Sequence, residues 1–114
     1  MTAAGVDDVL VALADATRRQ VLHLLAARGE ATATTLAAEL PVTRQAVVKH
    51  LTVLQQAGLV VGRRAGREVR YTPRSQPLDD TARWMAGLAA EWDARLATIK
   101  RIAEAGTPPP QPDR

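Results

Sequence analysis

The sequence predicts a mainly α fold with one small β-hairpin, ordered α-α-α-α-β-β-α and ending in a long helix. Three observations point there. Aromatic residues make up only 3% of the 114 residues, with two Trp, one Tyr and no Phe. A core must therefore come from Ala, Leu and Val, which suits closely packed helices. Apolar residues recur at three- and four-residue spacing along most of the chain. After Gly58 that period shortens to two and the residues become β-prone. The length suits one domain with a single core.

Residues 1–6 are small and polar enough to fray, and a disordered amino terminus is expected there. Asp7 to Leu13 carries Val9, Leu10 and Leu13 at helical spacing, a short first helix. Asp15 is placed to cap a second helix, Ala16 to Ala27, whose apolar face is Val21, Leu22, Leu24 and Leu25. Arg28-Gly29-Glu30 ends it. Arg18 and Arg19 stand in its first turn, where the helix dipole disfavours cations, so pairing with Asp15 or another carboxylate is expected. His23 lies among apolar neighbours, an ordinary setting for a packed or half-exposed histidine rather than a ligand. Thr32 to Leu40 forms a third short helix with Leu36 and Leu40 inward, closed by Pro41.

The fourth helix, Thr43 to Ala57, is marked at both ends. Thr43 can cap its amino terminus, and Gly58 supplies a left-handed residue after its last turn. Val47, Leu51 and Leu54 form a buried stripe. Arg44, Gln45, Val48, Lys49 and Thr52 fall on the opposite side. Arg and Lys suit guanine, Gln suits adenine, and Val can pack on a thymine methyl. A short helix, a tight turn and a capped second helix make a helix-turn-helix, whose second helix reads the major groove.

Leu59-Val60-Val61 begins a hairpin that returns through Glu68-Val69-Arg70-Tyr71-Thr72, with Val69 and Tyr71 alternating inward. Gly66 can take a positive φ at the tip. Arg63, Arg64 and Arg67 surround the turn, making a basic wing suited to phosphate or a narrow minor groove. Between Arg44 and Arg74 there are seven cations against Glu68 alone. That segment carries +6 and leaves −3 for the rest of a chain of formal charge +3. Such concentration points to a polyanion met by one face, and nucleic acid fits better than a membrane because no nearby apolar helix face is free to insert. Thr43, Arg63, Arg64, Arg67 and Arg70 are the expected backbone and wing contacts.

Pro73 to Pro77 is expected to be a linker. One long helix follows over residues 78–104, with Asp79 and Asp80 in its first turn and Lys100 and Arg101 near its last. Trp84, Leu88, Trp92, Leu96, Ile99 and Ile102 recur every three or four residues. So small a domain cannot cover such a helix, which makes Trp84, Leu88, Trp92, Leu96 and Ile99 a dimer seam. Residues 105–114, rich in proline, are expected to be a disordered tail. The winged helix-turn-helix domain then spans 7–104.

Ala12-Leu13-Ala14-Asp15-Ala16-Thr17-Arg18-Arg19, the run from Ala46 to Val60, Gly66-Arg67 and Tyr71 together resemble the ArsR/SmtB family of winged-helix transcriptional repressors. The likeness runs from about Val9 to Thr72. Trp84 and Trp92-Asp93-Ala94-Arg95-Leu96 resemble a subgroup with paired Trp in the last helix. The resemblance implies a homodimer whose Thr43–Ala57 helix enters the major groove of double-stranded DNA, with the wing on backbone or minor groove. It also implies an operator near the protein's own promoter.

The family's metal sensors often carry Cys-x-Cys on the third helix, where this chain has Thr32 and Thr34. Its last helix holds carboxylates but no His. Metal sensing is therefore not carried over, and neither a metal nor another cofactor is expected. Val48 stands where many relatives have Ser, so the operator cannot be borrowed from them.

The expected function is a sequence-specific repressor acting as a homodimer on an inverted repeat, autoregulatory and cytoplasmic, since no targeting or membrane-spanning segment is apparent. A small-molecule effector between Trp84 and Trp92 is an alternative to their simple packing. A non-specific architectural DNA binder is the rival class, and the amide-bearing helix face argues against it. The related MarR type is the nearest fold-level alternative, usually with a larger dimer domain. Catalysis is not expected. There is no Cys, and His23 and His50 lie on different helices, so no nucleophile–base set assembles.

Overall fold

The computed structural model describes residues 3–106. Their elements run α1 (Ala3–Leu13), α2 (Ala16–Arg28), β1 (Ala31–Thr32), α3 (Ala33–Ala38), α4 (Arg44–Gln56), β2 (Val60–Ala65), β3 (Glu68–Pro73) and α5 (Gln76–Gly106). They form two compact units, the first ending at Thr81 and the second starting at Ala82.

In the first unit the core is aliphatic. Val9 and Ala12 of α1, Val21 and Leu25 of α2, Leu36 of α3, and Val47, Leu51 and Leu54 of α4 join Leu59 and Val60 in one buried cluster. The stripe expected on α4 is wholly buried, which orients every other side chain of that helix. The caps are equally local. Asp15 accepts from the Arg18 N–H at 2.9 Å, and Thr43 Oγ1 accepts from the Ala46 N–H at 3.1 Å. After α4, Gly58 has φ +77°. Its N–H donates to the Gln55 carbonyl, and the Leu59 N–H donates to the Leu54 carbonyl, each at 2.9 Å. This doubly bonded reversal satisfies two terminal carbonyls and places Leu59 against the core.

Several expectations are corrected. The first helix begins at Ala3 rather than Asp7, because Val6 is buried and rewards another turn. Its inward residues are Val6, Val9 and Ala12, while Leu10 is 39% exposed. The expected tail 105–114 begins inside α5, which continues to Gly106; residues 1, 2 and 107–114 lie outside the described residues. Helix α3 is shorter than expected, with Thr32 as its cap. Pro77 is not linker but first-turn helix, where its missing N–H costs little.

The sheet has three strands, not two. Its order is β1-β3-β2, with Ala31 opposite Tyr71 and Thr32 opposite Arg70. Two residues are too few to show a period of two. The cations of α2 also behave differently. Arg18 Nε donates to the Ala12 carbonyl at 2.7 Å, and an Arg19 Nη donates to the Leu13 carbonyl at 2.6 Å. Both guanidinium groups thus serve the carboxyl end of α1, where a cation meets unsatisfied carbonyls and the negative pole of the dipole. Arg18 also reaches His50 Nδ1 of α4 at 3.3 Å, tying three helices together. His23 is exposed, further out than the packed or half-exposed setting expected.

In the second unit, the helix carries Trp84, Trp92, Leu96, Ile99 and Ile102 at 43%, 60%, 61%, 60% and 66% exposure. Leu88 is half-buried.

Candidate nucleic-acid interface

Because Val47, Leu51 and Leu54 point into the core, α4 turns its remaining face outward. Arg44, Gln45, Lys49 and Thr52 are exposed and Val48 is half-buried. Thr52 Oγ1 donates to the Val48 carbonyl at 2.9 Å, which leaves its oxygen as an outward acceptor. Arg44 Nε donates to Thr34 Oγ1 of α3 at 3.1 Å. The five residues singled out on this helix therefore share one surface, with Arg44 drawn toward its amino-terminal edge.

Next to it stands the hairpin. Ala65 pairs with Glu68, so Gly66 and Arg67 form a two-residue turn. Gly66 has φ +66° while Arg67 has no positive φ, the arrangement whose twist matches paired strands. Arg63, Arg64, Arg67 and Arg70 are all exposed. They are not electrostatically alike. Arg63 lies directly opposite Arg70 in the ladder, a like-charge pair that should repel. Glu30, just before β1, answers it: its carboxylate is 3.3 Å from Arg70 and 3.8 Å from Arg63. Glu68 adds a contact to Arg70 Nε at 3.7 Å.

Arg44, Lys49, Arg64, Arg67 and Arg74 have no ion pair among the described residues. Glu30 was not apparent from the sequence because it sits forty positions from Arg70, and only the pairing of β1 with β3 joins them.

Between α4 and the wing lies a groove of about 330 Å³, bordered by Thr34, Arg44, Val48, Arg67, Glu68 and Tyr71. No periodicity could have announced it, since its walls come from α3, α4 and the hairpin. Thr32 and Thr34, the pair at the family's thiolate positions, stand at its α3 side. Among the described residues no group of three or more His, Asp or Glu could hold a metal ion. No helix among them is long and apolar enough to cross a membrane.

The carboxyl of Asp15 supports the helix that carries Arg18. The Arg18 N–H donates to Asp15 and holds its carboxyl below the usual 3.8; burial opposes this, and the charges of His50 and Arg18 reinforce it.

A helix-turn-helix domain family matches residues 13–63. The chain is 47% identical to an ArsR-like transcriptional regulator from Rhodococcus sp. RHA1, covering 88% of this chain and 93% of that one with a TM-score of 0.79. It is 30% identical over 90 residues to the transcriptional repressor SdpR of Bacillus subtilis, covering 79% of this chain and 99% of that protein. It is also 31% identical to Mb0332 of Mycobacterium bovis, a homodimeric winged helix-turn-helix DNA-binding domain. There the likeness covers 82% of each chain with a TM-score of 0.58.

Proposed function

We propose, because the chain belongs to the ArsR-like family of winged helix-turn-helix transcriptional regulators, that it is a sequence-specific repressor binding double-stranded DNA as a homodimer. The observation that carries this reading is the division of α4. Val47, Leu51 and Leu54 are fixed in the core, so the outward face is a rigid, polar surface beside a hairpin with unpaired cations.

In this reading α4 lies in the major groove. Gln45 and Lys49 hydrogen-bond base edges, Thr52 accepts from an exocyclic amine, and Val48 packs on a thymine methyl. Arg44 holds the edge of that face. Thr43, Arg64 and Arg67 contact the sugar–phosphate backbone or minor groove, with Arg63 and Arg70 reaching it only in competition with Glu30. These phosphate contacts supply much of the affinity and a steep salt dependence.

The exposed apolar stripe of α5 and the homodimeric state of Mb0332 support pairing through Trp84, Leu88, Trp92, Leu96 and Ile99. A twofold dimer demands an inverted repeat. Occupation of such a site near its own promoter would exclude RNA polymerase without chemistry, in the cytoplasm. Thr32 and Thr34 offer no thiolate, so release would not follow the Cys-dependent metal route of the family's sensors.

The test is footprinting on DNA upstream of the protein's own gene, with excess non-specific competitor at near-physiological salt. A protected inverted repeat is expected. Protection spread evenly, or abolished by competitor, would instead support an architectural role.

A further inference from the structure

Two guanidinium groups from different elements border one groove. Arg44 comes from the first turn of α4 and Arg67 from the turn of the hairpin. Arg44 is anchored by its Nε to Thr34 Oγ1, which leaves both its Nη groups to donate elsewhere. Neither arginine pairs with a carboxylate among the described residues. Arg63 and Arg70, on the same hairpin, do. Glu68 also borders the groove, but its carboxylate is engaged by Arg70 Nε at 3.7 Å. Of the cations without an ion pair among the described residues, Arg44 and Arg67 are the two that border the groove, while Lys49, Arg64 and Arg74 lie outside its lining.

We propose that this groove seats one backbone phosphate of duplex DNA, clamped between Arg44 and Arg67, and that Arg44 serves the backbone rather than a base. The proposal rests on the DNA-binding reading above and refines it. A protein that lays a helix in the major groove and a hairpin along the adjoining minor groove must straddle the strand that separates them. The space between helix and hairpin is where that strand passes. Guanidinium donors match a phosphodiester's two unesterified oxygens, and the Thr34 hydroxyl proton remains for a third bond. An Arg committed to Thr34 and a phosphate lacks the free fork that reads guanine.

The assignment is tested with the full-length protein and a duplex bearing its binding site, in which single methylphosphonates replace each phosphate in turn. At one position per half-site, loss of the charge should weaken the wild type by about tenfold, as expected for a charge-assisted hydrogen bond. Arg44→Ala and Arg67→Ala should each bind unmodified DNA more weakly by a similar factor, each should be less sensitive than the wild type to methylphosphonate at that position, and the double variant should be indifferent to it. Arg44→Ala should keep the wild-type base preference, and Arg44→Lys should recover part of the affinity. Arg70→Gln should keep its sensitivity there.

The proposal is overturned if Arg44→Ala changes the preferred base while remaining as sensitive as the wild type to every methylphosphonate. It also falls if the two effects simply multiply. Failure of the wild type to bind any duplex would remove the DNA reading itself, a result distinct from either.

Discussion

Gln45 and Arg64 are both exposed polar residues of the basic segment, yet replacing them should have different consequences. Gln45→Ala removes a side chain on the outward face of α4, so it should relax preference at one base pair by about 1–3 kcal/mol and barely touch random duplex. Arg64→Ala should weaken all sequences alike and lower the salt slope by about 1. Titrating both variants on operator and random DNA across a salt series checks the division. Asp15 permits a prediction about pH. Its folded pKa is depressed, chiefly by the Arg18 N–H. Its contribution to stability is therefore present above the ordinary value of 3.8 and is lost as pH falls through the folded value. Asp15→Asn keeps a capping oxygen but cannot titrate. Thermal melts from pH 6 downward should show a shallower acid loss in that variant than in the wild type.

Elements with strong local chemistry are legible in the sequence. Helix α4 has a capping Thr, a 3.6-residue apolar stripe and a terminal Gly, and it forms where that grammar places it. The hairpin follows the same logic through Val69, Tyr71 and Gly66. What escaped was set by long-range pairing. Strand β1 is two residues long and exists only because β3 offers it an edge. The sequence suggests carboxylate partners for Arg18 and Arg19, but the turn between α1 and α2 brings terminal carbonyls within reach first. The anchoring of Arg44 on Thr34 likewise joins two helices and has no periodic signature. Glu30 gives this point a measurable form. Glu30→Gln uncovers the Arg63–Arg70 repulsion but frees two cations of the wing. Stability should fall by less than about 1 kcal/mol, because the pairs are solvent-exposed. Affinity for random duplex should rise. Denaturant melts and binding isotherms on one preparation read both, and unchanged affinity would mean that Glu30 does not compete with DNA.

In the whole molecule, a reading helix is coupled to a dimer. The exposed stripe of α5 makes Leu96→Asp the sharpest probe of that link. The variant should sediment as a monomer, keep its helical circular dichroism, and lose most affinity for a two-half-site operator while binding random duplex nearly as before. A dimer that survived the substitution would place the interface elsewhere. The central claim, that this chain reads base sequence with twofold symmetry, is tested most directly by selection. Purified full-length protein would be allowed to choose from a pool of random duplexes at near-physiological salt, and the bound fraction sequenced. Enrichment of an inverted repeat is expected, with half-site centres about one helical turn apart, and with loss of preference at one position of each half-site in Gln45→Ala. A bound pool indistinguishable from the starting pool would contradict it.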